Sequence, residues 1–290
     1  MIIAVASGKG GTGKTTIATS LVSTIAESGK KVSFLDCDVE APNAHLFFQP
    51  DYDQQKNVDL LIPKVDKDKC SGCGRCGEVC EFHAIVVLGG NPLVFPNLCH
   101  GCGSCTLVCP EKAITETPEV LGVLESGSVV NNIHFARGTL NVGEPMASPI
   151  IRQLKQWENQ HQTEITIIDS PPGTSCPVVE SIRGTDFVIL VTESTPFGLH
   201  DLKLAAQLVD DLHIPAGVII NREGIGDSQA EKFCHEANLP ILMRIPFERV
   251  IGEGIARGEL LTDIKPELKD KFSKMYTNIM KSLKAREVSL

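Results

Sequence analysis

The sequence predicts an α/β protein with a parallel β-sheet, interrupted by a small cysteine-rich domain. Continuous apolar runs of strand length alternate with helical segments in residues 1–50 and again after residue 160. Strands that are buried on both faces of a parallel sheet produce this pattern. Between these two regions, eight of the 11 cysteines lie within residues 70–109. We therefore predict one α/β domain formed by residues 1–62 and 118–290, with a cysteine domain inserted at 63–117.

The individual elements follow in order along the chain. The first 35 residues predict a strand at 2–6, a glycine-rich loop, a helix at 14–28 and a second strand at 32–35. Residues 120–142 predict an antiparallel hairpin, and Ser148-Pro149 is typical of the start of a helix, here extending to about residue 160. The remaining strands are predicted at 165–168, 187–191, 216–220 and 241–245, with helices at about 177–183, 198–211 and 228–237. From Pro266 onward, apolar residues at helical spacing predict a helix packed on the sheet, with a lysine-rich membrane-surface helix as the alternative.

Composition and charge narrow the classes of function. No apolar run reaches the roughly 18 residues that a membrane-spanning helix needs, and the chain opens on a strand-like segment rather than a secretion signal. The net charge of −9 does not favour nucleic acid as a partner. An odd number of cysteines without an export signal argues against a disulfide framework. We expect a cytoplasmic protein without a membrane span, whose clustered cysteines bind metal.

A phosphate-binding loop is predicted directly after the first strand. The motif G-x-x-x-x-G-K-[ST] occurs between a strand and a helix, which is the context that this motif requires. Its glycines turn backbone N–H groups onto phosphate oxygens, Lys14 reaches the β- and γ-phosphates, and the Thr15 hydroxyl can bind Mg²⁺. The same letters contain G-x-G-x-x-G, and Asp36 ends the second strand, so a dinucleotide site is the alternative. The matching residues are Gly8, Lys9, Gly10, Gly11, Thr12, Gly13, Lys14 and Thr15.

Two acidic residues follow two different predicted strands. Asp38 comes just after the second strand, in FLDCDVEAPN, and Asp169 ends the strand in ITIIDSPPG. Since the carboxyl ends of parallel strands meet at one edge of the sheet, we expect both carboxylates to lie beside the phosphate loop. Either acid alone would also fit a helix cap.

The loop with its second lysine, KGGTGKTT, resembles the deviant Walker A motif of the MinD/ParA/nitrogenase-iron-protein class of ATPases. The resemblance implies that ATP and Mg²⁺ bind here, and that Lys9 reaches across an ATP-dependent homodimer to the partner's nucleotide. A solvated loop lysine is the alternative. Asp38 then belongs to switch I, where it orients the attacking water or lies near Mg²⁺ with Thr15. Asp169 belongs to Walker B and switch II, with Gly173 near the γ-phosphate.

The same resemblance extends the nucleotide-binding set beyond the loop. Asn221-Arg222 follows the strand at 216–220 and resembles the class's NR element, in which Asn reads the adenine edge, although a turn residue is the alternative. Pro246 and Phe247 follow another strand and are expected near the base, and Thr16 adjoins the loop. The implied catalytic residues are Lys9, Lys14, Asp38 and Asp169, and the implied magnesium residues are Thr15, Asp38 and Asp169.

The predicted insert contains two copies of one cysteine run, about 29 residues apart, with the spacing C-x2-C-x2-C-x3-C. This is the bacterial ferredoxin spacing, and thiolate ligands at such spacing favour iron–sulfur clusters. Zinc is the alternative, but it is normally bound by paired C-x2-C units. The first copy is Cys70, Cys73, Cys76 and Cys80, and the second is Cys99, Cys102, Cys105 and Cys109.

The two runs resemble those of two-cluster ferredoxins, in which the fourth cysteine of each run ligates the other cluster. The resemblance implies two [4Fe–4S] clusters, and an insert so poor in aromatic residues needs them to fold. Cys80 is followed by Glu81 where the family pattern has proline, and this carboxylate would lower the potential of that cluster. The implied ligands are Cys70, Cys73, Cys76 and Cys109 for one cluster, and Cys99, Cys102, Cys105 and Cys80 for the other.

The remaining cysteines and nearby histidines are predicted to be structural. Cys37, Cys176 and Cys234 are each expected to be small buried apolar residues, and His83 and His100 to be packing or surface residues. Cys176 also has an alternative. It follows the Walker B acid by seven residues, where the nitrogenase iron protein has a cysteine that binds a cluster shared between two subunits.

The whole chain resembles MinD-superfamily P-loop ATPases with an inserted ferredoxin domain. The leading hypothesis is an ATPase whose nucleotide-driven dimer switch is coupled to electron transfer through the two clusters toward a redox or iron–sulfur partner protein. The first alternative is a carrier or scaffold that delivers clusters or metals to a partner, and the second is a redox-sensing regulatory ATPase.

Overall fold

A mainly parallel sheet organises the chain in this computed structural model, which describes residues 1–130, 132–158 and 163–287. Nine of the strands in these residues form one sheet, and β4 and β5 form a separate hairpin. In chain order the strands are β1 (Ile2–Ser7), β2 (Val32–Asp36), β3 (Asp51–Val65), β4 (Ile85–Leu88), β5 (Asn91–Val94), β6 (Ile114–Val129), β7 (Ile133–Leu140), β8 (Ile165–Pro172), β9 (Phe187–Glu193), β10 (Ala216–Glu223) and β11 (Ile241–Pro246).

The helices predicted from hydrophobic spacing are confirmed, although the last two positions of the helix predicted at 148–160 lie outside the described residues. Most of the helices that were not predicted are single turns of four residues. The helices are α1 (Lys14–Glu27), α2 (His45–Phe48), α3 (Arg75–Glu78), α4 (Ser104–Leu107), α5 (Ser148–Glu158), α6 (Cys176–Ile182), α7 (Pro196–Asp211), α8 (Gln229–Glu236), α9 (Arg249–Ala256), α10 (Leu261–Ile264) and α11 (Glu267–Glu287).

The strand order of the large sheet is β11-β10-β9-β1-β8-β2-β7-β6-β3. Pairing is parallel from β11 to β7 and antiparallel for β7 with β6 and for β6 with β3. Because β8 lies between β1 and β2, the carboxyl ends of these three strands meet at one edge. That edge receives the phosphate loop and the acids that follow the strands.

Helices cover both faces of the sheet, as expected for strands buried on both sides. Along β1, Ile3 and Val5 face one core and Ala4 and Ala6 face the other, which is the period-two alternation of a strand. The helix α11 packs on the first face, and its buried side chains confirm the predicted packing role. These side chains are Leu268, Phe272, Met275, Tyr276, Ile279 and Leu283. Among the described helices, none is long and apolar enough to cross a membrane.

Two long strands join the cysteine segment to the sheet. The 15 residues of β3 and the 16 residues of β6 pair antiparallel from Asp51 opposite Ser128 to Val65 opposite Ile114. The predicted domain boundaries at 62/63 and 117/118 fall within these strands. The strand β3 was not predicted because its first half, DYDQQKN, is polar and mostly exposed. Its pairing partner, rather than its own hydrophobicity, fixes it as a strand.

The cysteine segment has only a small core of its own. Ile85, Cys105 and Ile114 are buried together, and their partly buried neighbours include three more cysteines. When these partly buried neighbours are included, four of the eight side chains in this cluster are cysteines and the other four are aliphatic. Hydrophobic burial on this scale cannot hold a segment of this length in place without additional stabilisation.

We expect Phe135→Ala to destabilise the chain by about 3–5 kcal/mol, the usual cost of removing a buried phenylalanine. Phe135 is fully buried on β7, is stacked 5.6 Å from Phe34 and packs edge-on against Phe48 and Tyr52. It thus joins β2, α2, β3 and β7. Urea unfolding followed by circular dichroism measures the change. Val142→Ala, at a fully exposed position, is the control and should stay within about 0.5 kcal/mol of the parent. Equal effects of the two substitutions would contradict the assigned core.

Candidate nucleotide-binding site and cysteine-lined cavities

The loop between β1 and α1 has the backbone geometry of a phosphate-binding loop. Gly13, which immediately precedes α1, has φ 96°, a left-handed conformation that favours glycine. A Cβ at Gly13 would also lie 2.5 Å from Nδ2 of Asn221, and a Cβ at Gly8 would lie 2.2 Å from the Asp201 carbonyl oxygen. Both ends of the loop are therefore packed tightly against neighbouring residues, Gly8 against Asp201 and Gly13 against Asn221. The free N–H groups at the N-terminus of α1 point toward the space in front of the loop.

Thr15 and Asp169 meet at the floor of this loop. The Thr15 hydroxyl donates a hydrogen bond of 2.6 Å to Oδ2 of Asp169. Asp169 is fully buried, and its Oδ1 has no hydrogen-bond partner in the described structure. Burial raises the pKa of Asp169 well above its usual range, and the charge of Asp36 acts in the same direction. A hydroxyl and an unpaired buried carboxylate oxygen are suitable ligands for a magnesium ion.

Lys14 is buried among these acids. Desolvation lowers its pKa, whereas the carboxylates of Asp169 and Asp38 raise it. Asp38 is partly buried, and burial raises its pKa against the opposing effect of Lys14. The structure thus brings Lys14, Thr15, Asp38 and Asp169 to one point at the sheet edge.

Asp36 holds the loop that follows β2. Its carboxylate accepts backbone N–H bonds from Asp38, Asn43 and Ala44 at 3.0–3.2 Å. The side chain is fully buried, and burial raises its pKa to about 7. Since both oxygens face the loop backbone, Asp36 is not presented to a ribose. This geometry argues against the dinucleotide alternative and gives Asp36 a role in shaping the loop.

A cavity of about 770 Å³ opens beside the phosphate loop. Gly10, Gly11, Gly13, Lys14, Thr15, Thr16 and Asp38 line its phosphate end, and Asn221, Arg222, Pro246 and Phe247 line another part. Sequence reasoning missed Phe47 and the helix α9, which also line the cavity. Phe47 lies in the unremarkable run HLFF, and α9 is a short helix without a motif, so neither carried a signal.

Asn221 and Arg222 both make contacts within the chain. The Asn221 Nδ2 donates to the carbonyl oxygen of Thr12 at 2.7 Å, and its Oδ1 accepts from the Arg222 backbone N–H at 2.9 Å. Asn221 therefore braces the phosphate loop in addition to lining the cavity. The Arg222 guanidinium forms an ion pair with Glu193 at the end of β9.

Lys9 is paired within its own chain. Its Nζ lies 3.4 Å from the same Glu193, whose side chain is only 7% exposed. This contact differs from the alternative of a freely solvated loop lysine. Lys9 does not line the cavity, whereas Lys14 does. The two lysines of the loop thus have different environments, one facing the nucleotide cavity and one facing β9.

The cysteine segment contains two small cavities, each bounded by four cysteines. Cys70, Cys73, Cys76 and Cys109 surround one, and Cys80, Cys99, Cys102 and Cys105 surround the other. Each cavity thus takes three cysteines from one run and the fourth from the other. Backbone N–H groups point at three of the sulfurs, from Ala84 to Cys80, Gly101 to Cys99 and Ala113 to Cys109, at 3.3–3.4 Å.

The four thiols of each group surround a small space between them. Within the described part of the chain, no group of three or more His, Cys, Asp or Glu side chains is placed to hold a single ion.

The other cysteines follow the predictions with one exception. Cys37 and Cys234 are fully buried, as predicted. Cys176 is exposed, so its predicted burial is wrong. It begins α6, ahead of Pro177, and faces a groove also lined by Phe82 and His100. A position at the start of a helix leaves its side chain at the surface.

The histidines beside the cysteine runs make surface contacts. The His100 ring stacks on Phe82 with centroids 3.6 Å apart, and both residues line the second cysteine cavity. His83 is exposed and has φ 51°. These environments agree with the predicted packing or surface roles.

The strand–loop–helix unit, its buried lysine and the acids at the adjacent strand ends define a P-loop nucleotide-binding protein. The chain belongs to the CobQ/CobB/MinD/ParA nucleotide-binding domain family, whose model matches residues 3–261.

Relatives of known sequence match nearly the whole chain. An uncharacterised protein of Methanocaldococcus jannaschii is 32% identical over 283 residues, 96% of each chain. A Methanococcus maripaludis protein named iron-sulfur cluster carrier protein is 24% identical and covers 97% of this chain and 85% of its own. An Anopheles gambiae protein named cytosolic Fe-S cluster assembly factor Nubp2 homolog is 26% identical and covers 92% and 90%.

Solved structures show the same fold. The Pyrococcus furiosus cell division ATPase MinD has a TM-score of 0.59 and 20% identity, over 97% of this chain and 98% of that one. The Pyrococcus horikoshii septum site-determining protein MinD, in complex with Mg-ADP, has a TM-score of 0.58 and 20% identity, over 94% and 93%.

Lys14→Ala should weaken nucleotide binding by at least about 100-fold, because the phosphates lose a desolvated cation that lines the cavity. Lys9→Ala is the matched control within the same loop. Since Lys9 faces Glu193 instead, its loss should change nucleotide affinity of the single chain by less than about threefold. Isothermal titration with ATP and ADP in the presence of Mg²⁺ measures both. Equal losses would show that the two lysines are not separated as the structure indicates.

Proposed function

We propose that this protein is an ATP-hydrolysing iron–sulfur protein in which the nucleotide state controls electron transfer through two [4Fe–4S] clusters. The observation that best supports this proposal is the crossed grouping of the cysteines. Two separate cavities each collect four thiols, three from one run and one from the other, in a segment carried by strands β3 and β6 of the nucleotide-binding sheet.

The cysteine cavities fit clusters chemically. Iron–sulfur clusters take four thiolate ligands and, when bound, supply one-electron transfer. Hydrogen bonds from backbone N–H groups to the sulfurs of Cys80, Cys99 and Cys109 would stabilise negative charge there. Cys73 and Cys102 are exposed, so each cavity has one edge at the surface where a redox partner protein could approach.

On the nucleotide side, Lys14 would neutralise the β- and γ-phosphates, and Thr15 with Asp169 would hold Mg²⁺. Asp38, at the cavity wall, would position the attacking water. Thr16, Asn221, Arg222 and Pro246 would complete the nucleotide site. Lys9 would leave Glu193 to reach the nucleotide of a second copy, so that ATP holds a dimer together.

A second candidate function, delivery of clusters to a partner protein, is favoured by the comparisons. Several relatives that match most of the chain carry names of iron–sulfur cluster carriers or assembly factors. Resistance to chelators separates the two functions. A resident cluster held by four internal cysteines should exchange its iron slowly, whereas a cluster that is delivered to a partner must be able to leave the protein. Loss of iron to a chelator within minutes, accelerated by ATP, would favour delivery.

The cluster proposal predicts about eight irons and eight sulfides per chain in anaerobically purified protein. The crossed grouping is tested with two double variants. Cys70→Ser with Cys109→Ser changes one cavity only and should leave about four irons in an intact cluster. Cys70→Ser with Cys80→Ser places one substitution in each cavity and should impair both clusters. Iron analysis and electron paramagnetic resonance distinguish them.

Cys176→Ser is the control for this experiment and should leave the iron content unchanged, because Cys176 lines neither cavity. The reverse result for the two double variants would mean that each run serves its own cluster. Finding about two zinc ions and no iron would contradict the proposal itself.

Coupling predicts that ATP shifts the cluster reduction potentials. A coupling of 5–150-fold corresponds to about 40–130 mV, at about 59 mV per tenfold change for one electron. Asp38→Asn should slow hydrolysis while keeping ATP bound, and this variant therefore provides a trapped ATP state. The reduction potentials are compared in the nucleotide-free, ADP and trapped ATP states. Potentials that are identical in all three states would rule out this coupling within the chain.

The ATP-dependent dimer is tested separately. Lys9→Ala should bind ATP but lose ATP-dependent dimerisation in sedimentation.

A further inference from the structure

The residue that follows Asp38 is hydrogen-bonded to β7, which pairs with β6, one of the two strands that carry the cysteine segment. The backbone N–H of Leu140, at the end of β7, donates to the carbonyl oxygen of Val39 at 2.8 Å. Val39 is only 1% exposed. Asp38 itself lines the nucleotide cavity. One peptide unit therefore separates a nucleotide-facing carboxylate from a hydrogen bond to β7.

Gly138 and Gly122 leave a depression on one face of the β6–β7 hairpin, and Val39 and Ile150 pack into it, with Val39 at Gly138. Gly138 on β7 and Gly122 on β6 lie diagonally on the same face of the hairpin, since Gly122 pairs with Leu140 and Leu124 with Gly138. A Cβ added to Gly138 would lie 2.9 Å from Cγ1 of Val39 and 2.6 Å from Cγ2 of Ile150. Such distances leave no room for a side chain at position 138, so Val39 and Ile150 pack directly on the backbone of the hairpin.

Ile150 connects the second nucleotide-proximal segment to the same depression. Ile150 is fully buried on α5, and its Cδ1 would lie 2.7 Å from a Cβ at Gly122. On the same helix, the partly buried amine of Lys155 donates to the carbonyl oxygens of residues 180, 181 and 183, at the end of α6. Arg152 adds a bidentate pair with Glu180. The loop after β8, which contains Gly173, leads into α6 and is thereby connected to α5 and Ile150. The loop after β2 is connected to the same depression through Val39.

The strands lead from this depression to both cysteine cavities. From Gly122, β6 continues along β3 to Ile114 opposite Val65, eight residues or about 26 Å away, with one bulge at Leu121 where the register shifts between Val58 and Asp59. Ile114 and Val65 line one cysteine cavity, and Glu116 lines the other. This pairing is a continuous backbone connection from the depression to both cysteine cavities.

We propose that Val39, seated against Gly138 and bonded to Leu140, is the joint through which the nucleotide state reaches the cysteine segment. The inference rests on the proposed function, which it deepens by identifying the positioning residues of the coupling. Asp36 holds the backbone of the loop at Asp38, Asn43 and Ala44, so the loop moves as a unit when Asp38 responds to the γ-phosphate. Val39 then passes that movement to the hairpin.

The test is hydrogen exchange of the full-length protein with ADP and with a non-hydrolysable ATP analogue, both with Mg²⁺. The peptide that covers β7, with the Leu140 amide, should differ in exchange rate between the two states by about fivefold or more. Gly138→Ala should reduce this difference to less than about twofold while nucleotide affinity stays within about threefold of the parent. Val39→Ala, which removes the contact without overpacking, should have the same effect.

Gly217→Ala is the matched control. Gly217 lies on β10 of the same sheet, remote from the hairpin, and its added Cβ would lie 2.7 Å from Cγ of Leu242 on β11. This variant should keep the full nucleotide response. If Gly138→Ala does not fold, Val39→Ala decides the result. A nucleotide response that persists in Val39→Ala would overturn the inference, as would wild-type protein that shows no exchange difference at β7.

Cluster potentials measured on the wild-type protein separate this inference from the proposed function. Potentials that shift with ATP while β7 exchange stays constant would leave the function intact and refute the joint. Potentials that do not shift refute the proposed coupling regardless of the exchange result.

Discussion

The antiparallel pairing of β3 with β6 holds together two parts of the chain that have little else in common. On one side lies an α/β sheet covered by helices on both faces, with ample aliphatic core. On the other lies a cysteine segment whose own buried core consists of three residues. The ladder of backbone bonds from Asp51–Ser128 to Val65–Ile114 joins them, and Ala84 and Cys99 of the cysteine segment are buried in the same hydrophobic cluster as Leu60 and Ile62 of β3. The glycine depression and the cysteine cavities both lie along these strands.

The nucleotide loop was predictable because its requirements are local. A left-handed backbone at Gly13, a helix start at Lys14 and acids at the ends of neighbouring strands each leave a sequence signal. The role of Asp36 was not predictable, since its three partners are backbone groups whose positions depend on the folded loop. Polar β3 carried no hydrophobic periodicity, and its order comes from its partner β6.

In the cysteine segment, too, the local feature could be predicted from the sequence but the tertiary arrangement could not. The spacing of the two runs indicates cluster ligands, but a run alone cannot say which fourth cysteine joins which three, and only resemblance supplied the crossed set. In the structure, each cavity is lined by three cysteines of one run and the fourth cysteine of the other. The exposure of Cys176 was missed because it depends on where α6 begins relative to the groove, a tertiary property that local composition does not contain.

The pairing of Val65 with Ile114 places the two ends of the cysteine segment side by side. Everything between them enters and leaves the sheet through neighbouring positions on adjacent strands. Replacing those 48 residues with a tight turn would therefore leave an ordinary β-hairpin and an undisturbed sheet. The cysteine segment is thus attached to the sheet at a single place, the end of one long β-hairpin.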